Sequence, residues 1–253
     1  NNDGCQYTRE IDPRKPAGMT LNAGGKITLS ISASNPVAYA VTDANGVATL
    51  VTEAPVDNYV MLAYDENYVP TLYLKNAYLK GYNYYGVISL SASVNKIVVL
   101  ADSTVTATGA AASNDNNAIV NQNAKIVIDG PGRLVISADN ESIRTFSSGA
   151  IVIEEKANIL INQKTYGVYS AQGGIAIKGK LTVQGGGSNQ ITALGSSDLV
   201  IDGGVVLLKP TAAGTHISVT KVTLNSGTLS IVPTGSTYPT NGSLVYSIGA
   251  SVV

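Results

Sequence analysis

Tyrosine is the side chain this chain gathers in one place. Of 14 tyrosines, eight fall between residues 59 and 85: Tyr59, Tyr64, Tyr68, Tyr73, Tyr78, Tyr82, Tyr84 and Tyr85. With no Trp and one Phe, Phe146, tyrosine supplies nearly every flat ring. A tyrosine joins an apolar face to a polar hydroxyl. A sugar ring can stack its axial C–H patch on such a face and hydrogen-bond around its rim. The candidate ligand-binding residues are Tyr78, Tyr82, Tyr84 and Tyr85, the last three in the string KGYNYYG. The same cluster also suits a structural role, gluing the N-terminal segment onto the first repeat. The sequence leaves both roles open.

Other chemistry finds less support. Two carboxylates must flank a glycosidic bond for its hydrolysis. Asp129, Glu154 and Asp202 occupy corresponding positions of successive segments, but Lys178 falls between the last two. Opposite charges at neighbouring positions read as an ion-paired column, worth a few tenths of a kcal/mol per exposed pair. No two aspartates are adjacent anywhere. Calcium asks for six to eight oxygens. The oxygen-rich strings around Asp115 and at Asp139-Asn140-Glu141 read instead as solvated turns. Arg133 and Arg144 are the arginines of this region, and His216 is the sole histidine. A lone histidine builds neither a histidine metal site nor a two-histidine relay. No Gly-Lys-Ser/Thr follows a strand, so a phosphate cradle is unsupported. No catalytic residue, metal ligand or cofactor is assigned.

The elements that must position these residues announce themselves by recurrence. Short apolar runs begin at Leu72, Ile97, Ile126, Ile151, Ile175, Leu199 and Val222, in steps of 25, 29, 25, 24, 24 and 23 residues. A fixed period in this range marks a stacked repeat. A second run comes after each first one: YLKGY, TVTAT, RLVIS, NILIN, KLTVQ, VVLLK, TLSIV. Third runs centre on Ile88, Ile119, Ile143, Val168, Ile191 and Ile217. Three short strands per repeat predict an all-β fold, a right-handed parallel β-helix of about seven coils stacked about 4.8 Å apart. Alternation puts Ile126 and Ile128 inside and Asp129 outside. The outward column then runs Lys75, Leu100, Asp129, Glu154, Lys178, Asp202, Asn225. An antiparallel sandwich gives no reason for this period.

Composition agrees. Charged residues are 13% of the 253, and net charge is −1, so no basic field attracts nucleic acid. No apolar stretch reaches the length of a membrane span. Residues 1–16 are a polar leader. Residues 17–69 hold the alternating runs KITLSIS, VAYAVT, VATLVT and YVMLAY around the turn DANG, a small antiparallel β unit or N-terminal cap. Residues 70–232 form the β-helix. Residues 233–253, with Pro233 and Pro239, are expected to cap its far end, since open strand edges invite association. Cys5 stands alone, which excludes an intrachain disulfide. The polar NNDG start resembles the residues after a bacterial lipoprotein cleavage site. The expectation is a secreted or cell-surface protein with a lipid anchor upstream of Asn1.

The strings TLYLKNAYLKGYNYYGVISL, KIVIDGPGRLVIS, GGIAIKGKLTVQGGG and DLVIDGGVVLLKP resemble the pectate-lyase-like β-helix superfamily. Within it they look most like secreted bacterial proteins described as containing a carbohydrate-binding domain. The resemblance spans roughly residues 65–232, and its motifs are architectural. The Asn-Thr-Asp, Asp-Asp and Gly-His-Gly strings of hydrolases with this fold are missing. The resemblance implies a protein that binds polysaccharide without cleaving it. An adhesion or structural protein with a surface-protein partner is the alternative, and a lyase or hydrolase comes third.

Overall fold

A computed structural model describes residues 12–146, 149–186, 189–195, 197–211 and 215–232. The expected leader and C-terminal cap lie wholly or largely outside these. Five strands precede the stack: β1 (Ala17–Asn22), β2 (Lys26–Ile31), β3 (Val37–Thr42), β4 (Ala48–Val51) and β5 (Tyr59–Tyr64). The first coil is β6 (Pro70–Lys75), β7 (Tyr78–Gly81) and β8 (Ile88–Leu90). The second is β9 (Lys96–Val99), β10 (Ser103–Ala107) and β11 (Ile119–Asn121). The third is β12 (Ile126–Asp129), β13 (Arg133–Ala138) and β14 (Glu141–Thr145). The fourth is β15 (Ile151–Ile153), β16 (Asn158–Gln163) and β17 (Tyr166–Ser170). The fifth is β18 (Ile175–Ile177), β19 (Lys180–Gly185) and β20 (Ile191–Ala193). In the sixth, β21 (Asp198–Pro210) runs unbroken across two faces and β22 (Ile217–Ser218) makes the third. Finally β23 (Lys221–Ile231) pairs with β21 over the first two faces.

The protein is therefore an all-β, right-handed parallel β-helix, with six three-faced turns and a seventh rung of two faces among the described residues. Its only described helical segment is one 3-10 turn, at 113–115. Every coil pairs in parallel with the next. Three aliphatic ladders fill the interior. On the third face Ile88, Ile119, Ile143, Val168 and Ile191 stack in register, all with no exposed surface. On the second, Leu79, Val105, Ile136, Ile161, Val183 and Leu208 do the same. Burying each such side chain contributes about 1.5–3 kcal/mol.

One expected register is corrected. Ile97 pairs with Ile128, not Ile126, so that step is 31 residues rather than 29. All three faces share this longer step: Val105 pairs with Ile136 and Ile88 with Ile119. The extra residues sit in one loop, 108–118, between β10 and β11. The slip is two residues, so the inside–outside alternation survives it. It moves Asp129 opposite Val98, so Lys75 and Leu100 fall outside its column, and at the far end a bulge sets Ser226 rather than Asn225 opposite Asp202.

The five leading strands join both sheets at the first coil. β1 pairs antiparallel with β8, and β5 with β6. The β3–β4 turn closes over β7: Lys80 N donates to Gly46 O at 2.8 Å, and Tyr78 N to Thr42 Oγ1 at 3.2 Å. Gly46 has φ +81°, and a Cβ there would lie 2.5 Å from Lys80 Cβ, so the turn admits no side chain. Asp43 holds the turn by accepting from Asn45 N and Val47 N, each at 2.9 Å. β1 is absent from the strands expected on sequence, because AGMTLN carries a single β-branched residue and a glycine.

Candidate functional site

The loop after β7 folds back over the outward side of the third face. Asn83 Oδ1 accepts from Tyr85 N at 2.8 Å, forming an Asx turn. Gly86, at φ +93°, brings the backbone close enough that a Cβ would meet Val120 Cγ2 at 3.0 Å and Ile88 O at 2.8 Å. The loop thus covers Val120, which has no exposed surface although it alternates outward from Ile119.

Asn117 pins this loop. Its side chain is fully buried and donates to Tyr84 O at 2.8 Å and Asn114 O at 2.7 Å. Its Oδ1 accepts from Asn140 Nδ2 at 2.8 Å and Glu141 N at 3.2 Å. An amide has two donor hydrogens and two acceptor lone pairs, and all four are used. Asn117 belongs to the long 108–118 loop, so that insertion ties the first coil to the third.

Tyr84 and Tyr85 head a strip of planar groups along the third face. Their rings meet edge to face at 5.1 Å. Tyr84 lies 5.7 Å from Phe146. The Arg144 guanidinium sits 3.7 Å from the Phe146 centroid and 5.3 Å from that of Tyr169. Tyr169 meets Tyr166 at 5.3 Å. Arg144 and Tyr169 are register partners on β14 and β17, so the strip follows the helix axis from the first coil to the fourth. Tyr84 and Tyr85 are 38% and 46% exposed, and the others are half-buried.

Beneath the strip, Arg144 Nη1 donates to Glu141 Oε2 at 2.5 Å. Burial pushes the Glu141 carboxyl above its usual range, and Arg144 offsets this only in part. Burial likewise raises the Tyr169 phenol. Arg144 Nε and Ser142 Oγ are buried without a hydrogen-bond partner. The expected solvated turn at Asp139-Asn140-Glu141 is corrected here. Glu141 opens β14 with 4% exposure, and Asn140 is 9% exposed.

The four tyrosines named on sequence separate in space. Tyr84 and Tyr85 touch. Tyr82, 56% exposed, lies beside Gly109, with its Cδ1 3.8 Å from where a Cβ on that glycine would sit. Tyr78 is half-buried on the second face behind the β3–β4 turn. The earlier tyrosines serve the N-terminal strands: Tyr39 meets Tyr59 edge-on at 6.4 Å, and Tyr64 OH donates to Lys15 O at 2.7 Å.

Phe146, Tyr166, Tyr169 and the pinning Asn117 escaped the sequence reading. The signal available was that residues 144, 169 and 192 share one outward column. Of the carboxylates, Glu154 pairs with Lys178 at 3.0 Å. Asp129 accepts from Gly130 N at 2.8 Å, and Asp202 from Ser226 Oγ at 3.2 Å. His216 is buried, which lowers its pKa. Among the described residues, no three His, Cys, Asp or Glu side chains gather as a metal ion requires. No described helix is long and apolar enough to cross a membrane. No family model, curated protein or solved structure matches this chain.

Proposed function

We propose that this protein is a non-catalytic, secreted or cell-surface polysaccharide-binding β-helix of the pectate-lyase-like type, bacterial in origin. The observation that carries this reading is the strip Tyr85–Tyr84–Phe146–Arg144–Tyr169–Tyr166. Its exposed end offers two tyrosine faces for sugar C–H patches. Its middle offers a guanidinium for ring hydroxyls. A strip that follows the stacking axis suits a polymer with a regular repeat. Asn117 holds the loop in place before ligand arrives, which reduces the ordering cost of binding.

The test is a screen of plant and host polysaccharides, with and without calcium. The wild-type chain is compared with one carrying Tyr82, Tyr84 and Tyr85 changed to Ala. The reading expects binding by the wild type and its loss in the triple variant with circular dichroism unchanged. Absence of binding to every glycan would shift the account to an adhesion or structural protein that contacts other proteins.

A further inference from the structure

A second feature lies on the second face. A cleft of about 440 Å³ runs where the second face turns toward the third. Its floor is the outward column Ser137, Asn162, Gln184 and Lys209, in register on β13, β16, β19 and β21. Its rim is the column just past the strands, which includes Thr108, Asp139, Lys164 and Thr211. The backbone ladder carries on through this rim: Thr108 N donates to Gly81 O, Asp139 N to Ala107 O, Lys164 N to Ala138 O and Thr211 N to Gly185 O, at 3.0–3.3 Å. Tyr82 stands one rung before Thr108, its ring beside Gly109. The lining draws on five successive coils, a span of about 19 Å at the usual strand spacing.

The floor is organised before any ligand arrives. Asn162 Nδ2 donates to Ser137 Oγ at 3.2 Å, and Gln184 Nε2 to Asn162 Oδ1 at 2.7 Å. Each amide nitrogen has two hydrogens, so each retains one beyond these bonds. The result is a row of neutral donors and acceptors repeated once per rung. Charge is largely cancelled: Lys164 Nζ meets Asp139 Oδ1 at 2.5 Å. Lys209 alone, at the far end, pairs with no carboxylate among the described residues.

We propose that this groove is a glycan site separate from the strip, and that it takes an extended neutral polysaccharide laid along the helix axis. Hydroxyls fit a row of hydroxyl and amide groups, whereas a polyanion finds one unpaired cation and the Asp139 carboxylate. Tyr82 gives the terminal sugar a stacking face. The inference rests on the glycan-binding reading above and adds a second site and a ligand class to it.

Calorimetric titration with cellohexaose and with a galacturonic acid hexamer tests it. The variants are Asn162→Ala with Gln184→Ala, Ser137→Val, and Tyr84→Ala with Tyr85→Ala. The wild type should bind cellohexaose, little affected by added salt, and bind the acidic hexamer more weakly. The Asn162/Gln184 pair should lose affinity by about tenfold, as two net hydrogen bonds predict. Ser137→Val, which keeps both amides, should lose less, and the Tyr84/Tyr85 pair should remove only the strip's binding and leave the groove's affinity within about twofold. Unchanged melting temperatures exclude unfolding as the cause. If the groove variants bind as wild type while the Tyr84/Tyr85 pair fails, the groove proposal is overturned and the strip reading stands. Preference for the acidic hexamer overturns the ligand class. No binding of any glycan overturns both.

Discussion

Arg144 is held by three contacts: the rings of Phe146 and Tyr169 and the Glu141 carboxylate. Its removal leaves Glu141 buried without its cation. Losing one partner of a buried pair typically costs 3–5 kcal/mol. Arg144→Leu is therefore expected to lower stability by about 3 kcal/mol in a denaturant titration. Glu141 also leaves a mark on the pH profile. Its folded pKa lies above the ordinary value of 4.5. In the window between the two, the folded chain keeps a proton that the unfolded chain has released. Stability contributed by this group is thus fully present below the ordinary value and declines as pH rises through the window. Glu141→Gln should flatten that part of the profile in midpoints measured from pH about 4 to about 7. Asn117→Ala removes four hydrogen bonds at a fully buried position and should cost about 2 kcal/mol. It should also weaken glycan binding, because Tyr84 loses its anchor. At this scale the sequence was partly legible. Tyr84 and Tyr85 stand out by composition. Glu141 does not, because Asp-Asn-Glu has the chemistry of a turn and only the third coil's packing buries it. Tyr169 meets Arg144 through the stacking register, which no local string encodes, whereas Phe146 lies two residues along from Arg144.

Elements here are short strands whose stability comes from ladders. Ile161 lies between Ile136 and Val183 with no exposed surface. Its truncation to Ala should cost about 3 kcal/mol, the usual range for a large-to-small core change. Lys178→Ala, at an exposed ion pair with Glu154, should shift stability by about 0.5 kcal/mol or less. Both are read from denaturant midpoints, and equal effects would contradict the ladder account. These ladders are what made the fold readable: apolar residues at period two within a strand and near period 24 between coils. The third-face register was legible throughout, because its central residues are aliphatic in every coil. The first-face register slipped at the second coil. KIVVL and KIVID look alike, and their likeness hid the two-residue offset that loop 108–118 imposes. That loop, which broke the period, is also the element that anchors the tyrosines.

A β-helix is quasi-one-dimensional, so its ends carry the risk of association. β1 covers the edge of β8, and β5 covers that of β6. A chain beginning at Ser32 would lose the β1–β2 hairpin and bare the β8 edge. It should self-associate in light scattering on a size-exclusion column while the full chain does not. The molecule's low charge and regular faces suit a long, uncharged partner, which is the sense of the glycan reading. The absence of Trp makes its central claim directly measurable, since intrinsic fluorescence reports tyrosine alone. Tyrosine emission should change saturably as a bound polysaccharide is titrated into the wild type, and the change should disappear in the variant with Tyr82, Tyr84 and Tyr85 replaced by Ala. A polysaccharide that binds the wild type and the triple variant equally well, with no change in emission, would contradict the account.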